Sequence, residues 1–210
     1  MQMSVRVKIC GNTNLADAEA AIAAGADALG FILYEKSKRF IPIEEAIKIV
    51  EQLPPFVTTV AVTVNAVKQF TDLSWRKQLK NFNVAQLHGD ESPGHARAVG
   101  KYLPVIKVFP ADKARAITPA YYDVSAFMLD TPSQAFGGTG QVFDWDEAVE
   151  FKTRTTKPLI LAGGLNPENV AKAINRVHPY AVDVVSGVEV SPGRKDHAKL
   201  KDFIQICKSL

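Results

Sequence analysis

A single (β/α)₈ barrel (TIM barrel), an α/β fold built on one closed parallel sheet, is the architecture that this 210-residue sequence predicts. Three observations carry the expectation. Short strand-like runs are almost uninterruptedly apolar, an amphipathic stretch follows each, and the unit occurs eight times in one compositional block. Strands apolar on both faces belong to a parallel sheet that is covered on both sides. Right-handed crossovers through a helix keep successive strands parallel, and eight such units can close on themselves. One domain, residues 1–210, is expected, because the length suits one well-buried core.

In chain order, residues 5–10 read as the first strand. Residues 14–24 read as the first helix, opening on an Asn cap and stopping at Gly25. Further strands are expected at 28–33, 58–64, 84–87, 105–109, 126–129, 158–161 and 181–184. Helical stretches fall at 42–52, 66–80, 93–101, 111–121, 145–153, 167–176 and 196–208. Pro54-Pro55 is a local turn, not a linker. The structural rival is a doubly wound open sheet. It would usually carry a Gly-x-Gly-x-x-Gly turn after the first strand, where this sequence has Cys10-Gly11-Asn12-Thr13-Asn14.

Composition narrows the class. Hydrophobic residues make up 47% and charged residues 22%, as in an ordinary globular protein. The net charge of +3, from 25 basic and 22 acidic residues spread along the chain, implies neither a nucleic-acid partner nor a membrane surface. The start of the chain has no apolar core of a signal peptide, and no stretch approaches the length of a membrane span, so the cytoplasm is expected. Cys10 and Cys207 are too few for a disulfide framework and lack zinc-type spacing. Cys207 follows Leu200, Phe203 and Ile204 at helical spacing and belongs on the core face of the last helix.

In such a barrel the chemistry sits on the loops after the strands. Gly163-Gly164 after strand seven and Ser186-Gly187 after strand eight offer exposed backbone N–H groups for a phosphate dianion, although the first pair alone is also a plain tight turn. Cys10 ends the first strand, where most cysteines are inert core residues. At the catalytic rim its thiol becomes a base if neighbours stabilise the thiolate. Asp130 ends strand six; a partly desolvated carboxyl suits a general acid, and a capping or salt-bridged Asp is the structural reading. Arg39 is either one solvated member of a basic loop or a bidentate holder of a substrate carboxylate. His88 either lines the pocket or bonds backbone in the turn before Gly89.

Taken together and in order, these motifs resemble the phosphoribosylanthranilate isomerase family of tryptophan biosynthesis. The likeness runs through Lys8-Ile9-Cys10-Gly11, Gly30-Phe31, Ser37-Lys38-Arg39, Gln86-Leu87-His88-Gly89 and Leu129-Asp130. It continues through Gly137-Gly138-Thr139-Gly140, Phe143-Asp144-Trp145, the run from Ala162 to Val170, Asp183 and Ser186-Gly187-Val188-Glu189. The resemblance implies an Amadori rearrangement of N-(5-phosphoribosyl)anthranilate to the 1-amino-1-deoxyribulose 5-phosphate, with no cofactor and no metal. It implies Asp130 as the acid that opens the furanose ring and Cys10 as the base that removes the proton at C2. It gives Arg39 the anthranilate carboxylate and Gly164, Ser186 and Gly187 the phosphate. His88, Gly138 and Asp183 join the substrate contacts, with the 137–140 loop folding over the substrate. The partner it implies is a small phosphorylated molecule, bound by a monomer or homodimer.

The chain departs from the family in strand three. Ala61 and Thr63 stand where a Val-Gly-Val-Phe type of run is usual, which bears on packing near the anthranilate ring. Two rivals remain. The histidine-pathway aminosugar isomerase performs the same rearrangement, but is expected to be longer and to carry an aspartate where Cys10 stands. A non-catalytic phosphate-binding barrel would be expected to lose Cys10 or Asp130 before its glycine loops.

Overall fold

The structure, a computed structural model, describes residues 5–131 and 144–210. Eight parallel strands close into a barrel in chain order. They are β1 (Arg6–Ile9), β2 (Ala28–Ile32), β3 (Thr58–Thr63), β4 (Val84–Leu87), β5 (Val105–Pro110), β6 (Ala126–Asp130), β7 (Leu159–Leu161) and β8 (Ala181–Val184). Each lies within about one residue of its expected bounds, since runs of apolar, β-branched residues between turn signals mark buried strands sharply. The barrel closes where β1 lies parallel to β8, with Arg6 opposite Ala181 and Lys8 opposite Asp183.

Around the barrel run α1 (Leu15–Ala24), α2 (Ile43–Val50), α3 (Leu73–Leu79), α4 (Pro93–Gly100), α5 (Trp145–Thr153), α6 (Val170–Val177) and α7 (His197–Lys208). Local chemistry starts and stops them. The Asn14 side chain accepts from the Asp17 N–H at 2.9 Å to open α1, and Gly25 ends it at φ 103°. Ser92 caps α4 ahead of Pro93, which needs no N–H partner in the first turn. Asp196 accepts from Ala198 and Lys199 to open α7.

Three connections differ from the expectation. Residues 111–121 form two 3₁₀ segments, Ala111–Ala116 and Pro119–Tyr121, not one helix. Pro119 disfavours a helical conformation at Thr118, and the buried Ala111 and Ala114, three apart, suit a three-residue turn equally well. Residues 66–80 are divided at Asp72, whose carboxylate accepts from Ser74 N at 2.7 Å and Trp75 N at 3.2 Å and so starts α3 afresh. After β8 a short antiparallel hairpin, β9 (Glu189–Ser191) and β10 (Arg194–Lys195), turns at Pro192-Gly193 before α7. It was not expected from the sequence, although Pro-Gly is a strong turn signal.

Period-two alternation sorts each strand into two layers. Val7, Ile9, Leu29, Phe31, Leu87, Phe127, Leu129 and Leu161 face outward and join the helices in the large core. Ile106, Val108, Met128 and Ile160 fill the lumen on one side, and Cys10, Val60 and Val62 on the other. Among the described residues no helix is long and apolar enough to cross a membrane.

Phe127 is the centre of an aromatic cluster in the outer layer, with ring centroids 5.5 Å from Phe151 and 6.0 Å from Phe109. Phe127→Ala is expected to cost about 3–5 kcal/mol of unfolding free energy through lost transfer energy and a residual cavity. Urea unfolding reads this as a lower midpoint at unchanged slope.

Candidate active site

Because the strands are parallel, their carboxyl ends meet at one rim, and a cavity of about 280 Å³ opens there. Seven of the expected site residues line it: Cys10, Arg39, His88, Asp130, Gly164, Asp183 and Ser186. Gly187 stands just behind, so close to the β7 loop that a Cβ on it would fall 1.9 Å from the Leu165 carbonyl oxygen. Only glycine lets the two loops pack against each other there. Gly138, with the rest of the 137–140 loop, lies outside the described residues.

The two glycine loops present the geometry of an anion cradle. Gly163 and Gly164 take φ of 87° and 63°, left-handed conformations that suit glycine. The Asn169 side chain fixes this loop by donating to Gly164 O at 2.9 Å and accepting from Asn166 N at 2.9 Å. From β8 the chain enters a three-residue 3₁₀ turn, Ser186–Val188. Successive N–H groups of such turns point together and carry partial positive charge.

Cys10 follows β1 by one residue and is 2% exposed. Burial pushes its thiol above the ordinary range, which is the reverse of what a base needs, and the Lys8 ammonium pulls in the other direction. Lys8 is two residues earlier in the strand, so it shares the lumen face with Cys10. Its Nζ lies 2.7 Å from Asp183 Oδ1 across the seam. Burial works against the ammonium, but Asp183 and Cys10 more than offset it and hold Lys8 above its usual value.

Asp130 stands elsewhere on the rim. Its Oδ1 accepts from the Thr131 N–H at 2.7 Å, and its Oδ2 lies 3.2 Å from His88 Nε2. His88 Nδ1 is 3.1 Å from Gln86 Nε2. With the amide nitrogen donating to Nδ1, the imidazole proton sits on Nε2 and points to Asp130. His88 therefore lines the pocket and is not simply a turn residue. Gln86 Oε1 is buried with no partner among the described residues.

Arg39 is not a solvated member of a basic loop. Its Nε and Nη2 hold the Glu189 carboxylate at 2.8–3.0 Å. Glu189 is also 3.0 Å from Lys195 Nζ, which donates in turn to Cys10 O at 2.6 Å. One edge of the guanidinium is thereby used, while among the described residues the Nη1/Nη2 edge has no other partner than Glu189 on Nη2 and suits a second, planar anion. Ala61 and Thr63, the departures in strand three, do not line the cavity; Val62 and Val64 do. Ala61 packs in the outer layer, and the Thr63 hydroxyl reaches the Gln86 carbonyl.

The profile of the PRAI family, N-(5'-phosphoribosyl)anthranilate (PRA) isomerase, matches residues 7–206. The chain belongs to the phosphoribosylanthranilate isomerase family. The N-(5'-phosphoribosyl)anthranilate isomerase of Acidithiobacillus ferrooxidans is 48% identical over 202 residues, 95% of this chain and 96% of that protein. The crystal structure of phosphoribosyl anthranilate isomerase from Thermotoga maritima superposes with a TM-score of 0.88 at 44% identity, over 98% of this chain and all (100%) of that one. A second crystal structure of such an isomerase, in complex with reduced 1-(o-carboxyphenylamino)-1-deoxyribulose 5-phosphate, has a TM-score of 0.84 at 42% identity. It covers 98% of this chain and 100% of that one.

The sequence reading missed Lys8, Gln86 and Lys195. Lys8 and Gln86 interrupt apolar strands at positions whose neighbours are outward-facing, and that parity was their signal. Lys195 follows the unpredicted hairpin and had none. Glu189→Gln would leave Arg39 and Lys195 without their shared counter-charge. The expected cost is about 3–5 kcal/mol in urea unfolding, the usual penalty for breaking one side of a buried pair.

Proposed function

We propose that this chain isomerises N-(5-phosphoribosyl)anthranilate to 1-(2-carboxyphenylamino)-1-deoxyribulose 5-phosphate, with Asp130 as acid and Cys10 as base. It is an enzyme of tryptophan biosynthesis. The division of labour between acid and base is what the family resemblance implies, and the observation that carries the reading is geometric. Cys10 and Asp130 enter one cavity from different strand ends, beside the glycine loops of β7 and β8. An Amadori rearrangement needs a proton donor and a proton acceptor on one bound sugar, and the loops supply a fixed point for its phosphate.

The steps are those that the family resemblance implies for these two groups. Asp130 gives its proton to the furanose ring oxygen; the C1–O bond breaks and the anilino nitrogen's lone pair forms the C1=N bond of a protonated imine. The Cys10 thiolate then takes the proton at C2. The C–H electron pair becomes the C1=C2 bond, the C1=N pair returns to nitrogen, and the enol-amine tautomerises to the ketone. The free edge of Arg39 suits the anthranilate carboxylate, because a planar carboxylate matches two parallel N–H donors. His88 and Asp183 fit the sugar, and Gly164, Ser186 and Gly187 the phosphate. The proposal retains the cytoplasm as setting, a reaction without cofactor or metal, and a monomer or homodimer as assembly. A dimeric isomerase from Thermotoga maritima is a precedent for the second.

Loss of anthranilate-type fluorescence, with substrate generated in situ, measures the reaction. Wild-type protein is expected to turn over substrate. Cys10→Ala and Asp130→Asn are each expected to lower kcat by about 10²–10⁴, the usual contribution of one positioned acid or base. Absence of turnover by the wild type refutes the enzyme reading, and full turnover by both variants refutes the assignment of roles.

A further inference from the structure

We propose that Lys8 is a positioning residue for the base: its buried ammonium, held by Asp183 and packed with the Cys10 sulfur over Gly30, sets how readily Cys10 ionises. This rests on the assignment of Cys10 as base. A thiol at 2% exposure, beside Val60 and Val62, is largely removed from the water that would stabilise its anion. The base needs a fixed cation instead.

The geometry supplies one. Lys8 and Cys10 are two residues apart, on the lumen face of the same strand. The lysine is nearly inaccessible, with 4% of its side chain exposed, and its Nζ is anchored 2.7 Å from Asp183 Oδ1. Its neighbour on this face is the Cys10 sulfur. The meeting point is made by an absent side chain. A Cβ built on Gly30 would fall 2.5 Å from Cys10 Sγ and 3.0 Å from Lys8 Nζ, so the neighbouring strand is hollowed where sulfur and ammonium come together.

Other charged groups surround this contact. Asp183 opposes thiolate formation directly while holding the ammonium in place. Asp130 and His88 face Asp183 from β6 and β4. Lys195 favours the thiolate from behind the strand, but its charge is shared with Glu189, which also holds Arg39. Lys8 is the cation that shares the hollow over Gly30 with the sulfur.

The test is a spectroscopic titration of the free protein, following thiolate absorbance against a Cys10→Ala blank. All variants carry Cys207→Ala as well, although that buried thiol, pushed up to about 12, titrates late. Lys8→Met is expected to move the Cys10 midpoint up by about one pH unit or more, a tenfold loss of thiolate at fixed pH. The acid limb of the pH–kcat/KM profile is expected to move with it.

Lys8→Met leaves Asp183 as a lone buried charge and can unfold the protein, which circular dichroism detects. The comparison is then made between Asp183→Asn and the double variant Lys8→Met/Asp183→Asn, which buries no lone charge. A higher midpoint in the double variant supports the proposal. An unchanged Cys10 midpoint in either comparison overturns it, including the case in which turnover falls while the midpoint stays. No substrate enters the titration, so failure here is distinct from failure of the proposed reaction.

Discussion

The closure of the barrel between β1 and β8 is the constraint on which the site depends. Residues 6–9 pair with 181–184 in one register, and the Lys8–Asp183 ion pair lies across that seam on the lumen side. Strand side chains alternate with a period of two, so a slip of one residue would turn Val7 and Ile9 into the lumen and send Lys8 and Cys10 into the helical layer. A charged pair cannot tolerate that exchange. Its two members stay paired with each other only in the correct register, and an unpaired charge among the helices would carry the full penalty of desolvation. The pair thus couples the joining of the chain's first and last strands to the placement of Cys10, the proposed base.

The outer architecture was legible because its signals are local. A helix that begins at Asn14 or Asp196 and a strand bounded by Gly or Pro are written in a few adjacent residues. Where two local readings coincided, the sequence misled. Ala111, Ala114 and Ile117 lie three apart, compatible with the buried face of an α-helix or of a 3₁₀ turn; Thr118-Pro119 decides for the second. The hairpin at 189–195 was overlooked for another reason. Its strands are too short to show alternation, leaving Pro192-Gly193 as the signal.

The site was legible in part, and the boundary is physical. Cys10, His88, Asp130 and Asp183 stand at strand ends, where a barrel delivers side chains to its rim. What they touch was not legible. Lys8 meets Asp183 across a separation of 175 residues, and Lys195 meets the Cys10 carbonyl across 185. Parity places Lys8 on the lumen face but does not name its partner, and Lys195 carries no such mark. Arg39 shows the same limit. Its basic neighbours Lys36 and Lys38 suggested solvent, whereas Glu189 from the overlooked hairpin fixes it at the cavity wall.

The two charge networks divide the work of the site. Along the rim, Arg39, Glu189 and Lys195 form a chain that ends on the Cys10 carbonyl; inside the lumen, Asp183 holds Lys8 beside its sulfur. Cys10 thus has one lysine at its backbone carbonyl and another beside its side chain. Among the described residues, the carboxyl of Asp130 has neither lysine as a bonded partner; it meets an imidazole and a backbone N–H. The proposed acid and base have to hold opposite protonation states at one pH, which needs different surroundings within one cavity. Strand parity provides that separation: Cys10 lies above a buried cation on its own strand, and Asp130 above Met128, which is apolar and fully buried. The asymmetry between Asp130 and Cys10 is built into what lies two residues below each.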